Sequence, residues 1–442
     1  MTRIKVIFAA LCIGLTVLWV DADRVWLSGV SFNQTRLSFL NYTGIIAMGV
    51  MAASLLLALR STAMEPYVGG LDKSYRLHKW LGVAALVMVL VHWLWVERPS
   101  FLVSLVTFNE PVRAPNEARS LLSPTLFRSV QGAAIGVGNV CFYAAVILII
   151  LALVKWIPYR RFLQTHRLLS IVYLALIFHS IVLLKASYWT YAIAYAFAAL
   201  LTAGAAAAIY ILFQRVGRTR QAVGKVEAIT QHQDGRIVAI KVCLTDRWPG
   251  HDAGQFAFVR FKEREEPHPF TISSPWRDDG NLSFVIKGLG DYTRTLMSHL
   301  SVGSLVTIEG PYGRFNFNGP HRRQIWISAG IGITPFVSRM QHLRELPDGR
   351  IIDLFHATGD SDVRYNESLA KLAANAGVRL HVWVGAEQGR LDTERILKTV
   401  PEWKSADVWF CGPVEFGKSL QHDFRAAGLS PGDFHQELFH FR

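Results

Sequence analysis

The sequence is short of cysteine, of acid and of the usual glycine fingerprint. Its four cysteines, Cys12, Cys141, Cys243 and Cys411, are scattered, which excludes a disulfide framework and a cysteine-held metal module and suits a soluble half kept in a reducing cytoplasm. No Cys-x-x-Cys-His stretch occurs, so covalent c-type heme attachment is excluded. Gly-x-Gly-x-x-Gly is absent too. Lys and Arg outnumber Asp and Glu by 46 to 33, yet no basic patch interleaved with aromatics stands out in the C-terminal half, so no nucleic acid partner is expected.

What is present is unevenly distributed. Apolar runs crowd residues 1–213; beyond Arg215-Val-Gly-Arg-Thr-Arg220 the pattern is that of a soluble protein. Six spans are expected: Val6–Val20, Leu40–Leu59, Leu77–Val96, Ile135–Trp156, Thr165–Lys185 and Tyr188–Phe213. The first is short, and because Trp19-Val-Asp-Ala-Asp23 offers no small-x-small cleavage site it reads as an uncleaved span. Lys and Arg beside the N-terminus, between spans two and three, between four and five and after six number 14, against 7 in the opposite loops (Arg24, Arg36, Arg98, Arg113, Arg119, Arg128, Lys185). That asymmetry places both termini in the cytoplasm. Trp19, Trp80, Trp93, Trp95, Trp156 and Trp189 lie near span ends, as an aromatic belt requires. The proline-rich loop Glu97–Ala134 is either a plain connector or a cover for the outer side.

Two spans each carry two histidines: His78 and His92 in the third, His166 and His179 in the fifth. A lone histidine in an apolar helix is usually a hydrogen-bonded core residue. Four at matching depths, where an ionisable side chain is costly, point to a shared ligand, and heme iron fits. The separations are 14 and 13 positions, roughly 21 and 20 Å of helix. Parallel helices then set His78 against His166 and His92 against His179, giving two b-type hemes across one bilayer. Azimuth resists this: 14 positions return to within ~40° of the starting face and 13 end ~140° away, which asks for a bulge or strong tilt in the second helix. Tyr173, midway between His166 and His179, either lies between the hemes or simply packs.

From Gln221 to about Gly319 short strands (Val238–Leu244, Gln255–Arg260, Leu282–Lys287, Leu305–Glu309) suggest a small antiparallel barrel. It contains His268-Pro-Phe-Thr-Ile-Ser-Ser274, where Pro269 stiffens the strand, Phe270 offers a flat face, and Thr271, Ser273 and Ser274 supply hydroxyls. Gly288-Leu-Gly-Asp-Tyr-Thr293, with Tyr292 and Thr293, precedes a helix expected at Arg294–Leu300 whose N-terminus can hold a diphosphate. Next, a strand ending at Gly330 runs into Ile331-Gly-Ile-Thr-Pro335 and a helix, the geometry that lets backbone approach a pyrophosphate. Strands at 351–356, 380–384 and 408–411 alternate with helices at 367–376, 393–399 and 414–427, the mark of a doubly wound parallel sheet. The expected domains are 1–215, 216–320 and 321–442.

Over nearly its full length the chain resembles the NADPH oxidase and ferric reductase superfamily, particularly its bacterial members. The resemblance rests on His78 and His92, His166 and His179, His268-Pro-Phe-Thr-Ile-Ser-Ser274, Gly330-Ile-Gly-Ile-Thr-Pro335 and Cys411-Gly-Pro413, all in the family's order. It implies a transmembrane di-heme bundle, an FAD-binding barrel and an NAD(P)-binding α/β domain in a bacterial inner membrane. FAD is then held by Pro269, Phe270, Thr271 and Ser274, with His268 where soluble relatives carry arginine. The nicotinamide nucleotide is held by Gly330, Gly332, Thr334 and Pro335, with Cys411 and Gly412 near the nicotinamide. Phe439, or alternatively Phe441, matches the terminal aromatic that covers the flavin. No acid directly ends strand 351–356, and Thr358 and Arg364 can meet a 2′-phosphate, which favours NADPH over NADH. The implied reaction passes electrons from NAD(P)H through FAD and two hemes to an outer acceptor. That acceptor is O2 or a ferric chelate, and a relay to a partner protein is the rival. One turn beyond His92, where eukaryotic oxidases carry a histidine, stands Val96, and Arg36 is a candidate positive charge nearby.

Overall fold

The computed structural model describes residues 2–23, 32–97, 124–154, 156–232, 237–262, 265–288, 290–359 and 362–437. Phe439, Phe441, loop residues 98–123 and the charges Arg24, Arg98, Arg113, Arg119 and Lys155 lie outside them. The chain divides into two compact units that part between Val216 and Gly217.

The first unit holds six helices long and apolar enough to cross a membrane: α1 (Thr2–Ala22), α2 (Phe32–Ala58), α3 (Leu71–Glu97), α4 (Pro124–Leu153), α5 (Tyr159–Leu183) and α6 (Ala192–Leu212). Helices suit such sequences because each satisfies its own backbone where no water can. The fourth starts well before the expected Ile135. Pro124 lacks an N–H that a first-turn residue would leave unpaired anyway, so the helix extends back past the apolar run. Spans α4 and α5 pack backbone to backbone, as do α2 and α6, whereas α3 stands off from the other spans.

Of the bulge or strong tilt expected in α5, the bulge is not there: α5 is α-helical from Tyr159 to Leu183. Trp19 is also not part of a belt. It is 3% exposed and donates from Nε1 to the Tyr188 hydroxyl at 3.0 Å, while that hydroxyl bonds the buried Asp23 carboxylate, which Lys185 also approaches. An indole N–H inside a bundle needs such a partner. Trp80 and Trp156 do face outward, whereas Trp95 stacks on Phe39 and Trp93 on Phe142. Tyr173 is buried, its hydroxyl 3.5 Å from the Leu200 carbonyl and its ring over Gly204, so its contacts are those of packing against α6.

The second unit begins with six strands: β1 (Gln221–His232), β2 (Ile237–Leu244), β3 (Phe256–Arg260), β4 (His268–Thr271), β5 (Asn281–Lys287) and β6 (Leu305–Tyr312). Their order is β4-β3-β6-β1-β2-β5, all antiparallel, and the Ile272–Phe284 bridge joins the two ends into a barrel. Along β2 and β5, Val238, Ile240, Val242, Leu282, Phe284 and Ile286 alternate inward, the two-residue period of a sheet with one dry face. Helix α7 (Asp291–His299) follows β5, starting three residues before the expected Arg294.

The α/β part contains β7 (Arg323–Ala329), α8 (Thr334–Glu345), β8 (Ile351–Thr358), α9 (Val363–Asn375), β9 (Val378–Val384), α10 (Thr393–Thr399), β10 (Ala406–Cys411), α11 (Val414–Ala426) and β11 (Phe434–Gln436). The sheet is parallel, in the order β11-β10-β7-β8-β9. Residues 324–328 of β7 and all of β10 are buried, because helices cover both faces. The order reverses between β7 and β10, so a crevice opens beyond their C-terminal ends.

Candidate functional site

In the membrane unit the histidines meet as two pairs. The rings of His78 and His166 lie 5.7 Å apart, with Nε2 facing Nε2 at 3.4 Å; those of His92 and His179 lie 6.3 Å apart. Both pairings ascend in sequence, so α3 and α5 run the same way.

The other ring nitrogens define the tautomers. His78 Nδ1 is 2.9 Å from the Ser54 carbonyl and His179 Nδ1 2.8 Å from the Ala134 carbonyl, so each must carry the proton and donate it. The Thr43 hydroxyl donates to the Phe39 carbonyl and so accepts from His92 Nδ1, at 3.0 Å. In all three Nε2 is therefore left with its lone pair free, and that of His78 faces His166, the arrangement a metal-binding imidazole needs. Nδ1 of His166 is buried without a hydrogen-bond partner. The residues fit a heme at each pair: free lone pairs at two depths, beside the one span that stands off from its neighbours. Gly138 matters here, because a Cβ at that position would overlap the His179 ring.

In the barrel, residues 268–271 of β4 pair with β3 alone, the bridge to β5 coming only at Ile272, so Pro269 costs no ladder bond to a second neighbour. His268 stacks on Tyr292 at 3.5 Å and 14°, which brings the two flavin motifs together. Burial holds the His268 imidazole down at about 4, so it is neutral at pH 7. The Tyr292 hydroxyl donates to Glu265, and burial together with that carboxylate pushes it up. Thr293 closes the first turn of α7, its hydroxyl within hydrogen-bonding distance of the Gly290 N–H and carbonyl, and open space lies beside Gly290. Thr271 and Phe270 are half-buried on β4, with Phe270 edging Phe261, and Gly288 directly follows β5. Ser273 and Ser274 are buried. Ser274 Oγ accepts from the Ser283 N–H, and its carbonyl accepts from His251 Nε2 and Ser338 Oγ, which ties the motif to α8. These hydroxyls serve the framework as much as any ligand. The open N-terminus of α7 beside the His268–Tyr292 stack fits a flavin diphosphate.

At the crevice, Gly330 adopts φ +54 with nothing within 4 Å of where a Cβ would stand, leaving its backbone open. A Cβ on Gly332 would collide with the Cys411 carbonyl, so only glycine lets these two segments touch. Thr334 donates to the Ile331 carbonyl and Pro335 occupies the first turn of α8. These residues fit a dinucleotide pyrophosphate. Gly412 lies against Ala329. Cys411 is only 3% exposed, and burial, with Glu437 beside it, pushes its thiol up, so it is no thiolate nucleophile. Thr358 ends β8, and Arg364 is exposed on the first turn of α9, whose cap Asp362 accepts from the Tyr365 N–H.

Sequence reasoning did not mark Thr43, the carbonyls of Ser54 and Ala134, Tyr292 as a stacking partner, or Ser338. Backbone acceptors leave no trace in residue type. Glu437 was also missed. It is buried, acts on Cys411 and lies where Gly313 has no side chain, so the chain returns to the crevice just before its end.

Comparison with known proteins agrees with this layout. Residues 43–177 match a ferric reductase like transmembrane component, 223–316 an FAD-binding domain and 326–422 an oxidoreductase NAD-binding domain. An NADPH oxidoreductase of Mycobacterium tuberculosis is 36% identical over 140 residues, 30% of this chain and 36% of its own. A flavohemoprotein of Bordetella pertussis is 28% identical over 217 residues, 43% of this chain and 53% of its own. The chain thus spans between 36% and 53% of the length of these relatives. The solved cytochrome P450 reductase GcoB of Amycolatopsis aligns with 50% of this chain and 70% of its own, at 20% identity and a TM-score of 0.44. The class is that of oxidoreductases with FAD- and NAD(P)H-binding domains, here carried behind a multi-pass membrane component. In this order the three components form the architecture of NADPH oxidase and ferric reductase-like flavocytochromes.

Proposed function

We propose that this protein moves electrons from cytoplasmic NADPH across a bacterial inner membrane to an outer acceptor, with O2 taken to superoxide. The observation that carries this reading is the two facing histidine pairs at two depths of a ferric-reductase-like bundle. When bound, FAD takes a hydride and releases electrons singly, and two b-type hemes pass them across the membrane.

The chain's own residues supply the positions. Gly330, Gly332, Thr334 and Pro335 hold the nucleotide phosphates on open backbone, Cys411 and Gly412 floor the nicotinamide side, and Thr358 and Arg364 receive a 2′-phosphate. The name of the mycobacterial relative also favours NADPH. His268, Pro269, Phe270, Thr271, Ser273, Ser274, Gly288, Tyr292 and Thr293 surround the flavin. His78 with His166 ligates the inner heme and His92 with His179 the outer. The placement of Lys and Arg supports cytoplasmic termini, which brings the soluble unit to the cytoplasmic NADPH pool.

A second reading, ferric-chelate reduction, is favoured by Arg36. It donates to the carbonyls of Trp95 and Val96 at 2.8 and 2.9 Å, which fixes a positive charge just past His92. An anionic chelate suits that charge. Purified protein with FAD and NADPH separates the readings: cytochrome c reduction in air that superoxide dismutase suppresses supports the oxidase. Anaerobic reduction of ferric citrate without superoxide replaces it with the reductase, and heme reduction with neither product points to a partner protein.

A further inference from the structure

At the ends of the parallel strands opposite the nucleotide crevice, His321 just before β7, Asp407 at the start of β10 and Asp433 just before β11 converge. One ligand atom from each lies within 4.8 Å of the other two. His321 Nε2 is 3.3 Å from Asp433 Oδ2. Asp407 is fully buried and doubly held: Oδ2 accepts the His321 N–H at 2.9 Å, and Oδ1 accepts from His435 Nε2 at 3.0 Å. His435 in turn stacks on Trp409 at 4.1 Å, which locks its ring. A Cβ on Gly319 would overlap the Asp407 carboxylate, so the chain before β7 wraps that group closely.

Two carboxylates thus meet two imidazoles, with Asp407 fully buried and His321 and Asp433 partly so. A carboxylate as deeply buried as Asp407 is costly unless it is paired or coordinates a cation. One imidazole nitrogen and two carboxylate oxygens from three separate segments make a donor set for a borderline divalent cation, with the half-exposed side left for water. The bond from His435 to Asp407 is the outer-sphere contact that orients a ligating carboxylate.

We propose that His321, Asp407 and Asp433 bind a divalent transition cation, for which Zn2+ is the probe, and that it fastens the short strand β11 to the starts of β7 and β10. Ligation through His321 Nε2 requires the tautomer with its proton on Nδ1, so no net proton is released and no electron moves. Because β11 leads directly to Glu437, the clamp also holds Glu437 at the crevice. The site is independent of the electron path and of any heme.

The test uses full-length, detergent-purified protein stripped with a chelator and titrated calorimetrically with Zn2+ alone, beside the variants His321→Gln and Asp433→Asn. Wild type is expected to take up one Zn2+ per chain more than either variant, or to bind it at least ~10-fold more tightly, with a rise in Tm on Zn2+ addition that both variants lack. Equal stoichiometry and affinity in all three proteins overturn the proposal. FAD content equal to wild type shows that a variant has folded. Should both variants fail that check, Co2+ loading of wild type decides: a visible band of tetrahedral nitrogen and oxygen ligation that Zn2+ displaces supports the site, and no band overturns it.

Discussion

The ring nitrogen facing away from the partner decides what each membrane histidine can do. Thr43→Val removes the hydroxyl that accepts from His92 Nδ1–H and leaves that ring only its backbone contact at Leu40. Heme affinity at the outer pair is expected to fall about 10–100-fold, read by hemin titration of the stripped protein, with the inner pair unchanged. Unaltered affinity would mean Thr43 only packs. His179→Ala should remove half of the heme absorbance while leaving FAD bound. Outside the membrane, His356 is 3% exposed, its Nδ1 2.9 Å from Ser328 Oγ, and burial holds it at about 4. The unfolded chain takes up that proton near pH 6.5, so stability is intact above ~6.5 and erodes as pH falls toward ~4, by about 3 kcal/mol at most. Denaturant titrations of His356→Gln should show a flatter slope across that window, and an unchanged slope would assign the effect to another group.

At the scale of elements, two glycines set how closely segments approach. Gly138→Ala drives a methyl into the His179 ring, so α4 and α5 must part and the outer heme should be lost while the inner remains. Gly332→Ala forces the start of α8 off the Cys411 carbonyl, at about 1–3 kcal/mol of overpacking. The expected kinetic effect is a raised KM for NADPH with bound FAD unchanged, and an unaltered KM would separate that contact from nucleotide binding. Much of this level was legible beforehand: apolar runs marked the spans, and alternation in Val238–Leu244 and Leu282–Lys287 marked the barrel. The start of α4 at Pro124 was not, because a helix outlasts its apolar stretch when its polar turns reach water. Nor was the continuity of α5. An azimuth computed on an ideal rod ignores how two helices lean and how far an imidazole reaches.

For the whole molecule, the three components act in series if the proposed relay is right. Turnover with NADPH should then exceed turnover with NADH several-fold, and Arg364→Ala should narrow that difference by raising KM for NADPH alone. Comparable rates with both nucleotides in wild type would refute the preference. Two tethers run from the barrel to α8: Ser338 to the Ser274 carbonyl, and Arg277 to Glu345 at 2.7 Å, the latter depressing the Glu345 carboxyl to about 2. Since that carboxyl is depressed, the tether is fully present above pH ~4.5 and fades as pH falls toward ~2.

Membership of the membrane, the division near Arg215 and the pairing of His78 with His166 and His92 with His179 were determined by sequence alone, because burying four imidazoles among apolar residues has few physical justifications. The resemblance carried by the five motifs in order implied flavin and nucleotide domains, and the matches at 223–316 and 326–422 bear this out. Tertiary structure alone decided that Tyr173 packs on α6, that Trp19 turns inward to Tyr188, and that Cys411 is buried beneath Gly332 and Glu437. It also decided that His321, Asp407 and Asp433, 86 and 26 positions apart along the chain, meet at one edge of a sheet. A parallel sheet aligns the starts of strands that are distant in sequence, and nothing local records which starts will be neighbours.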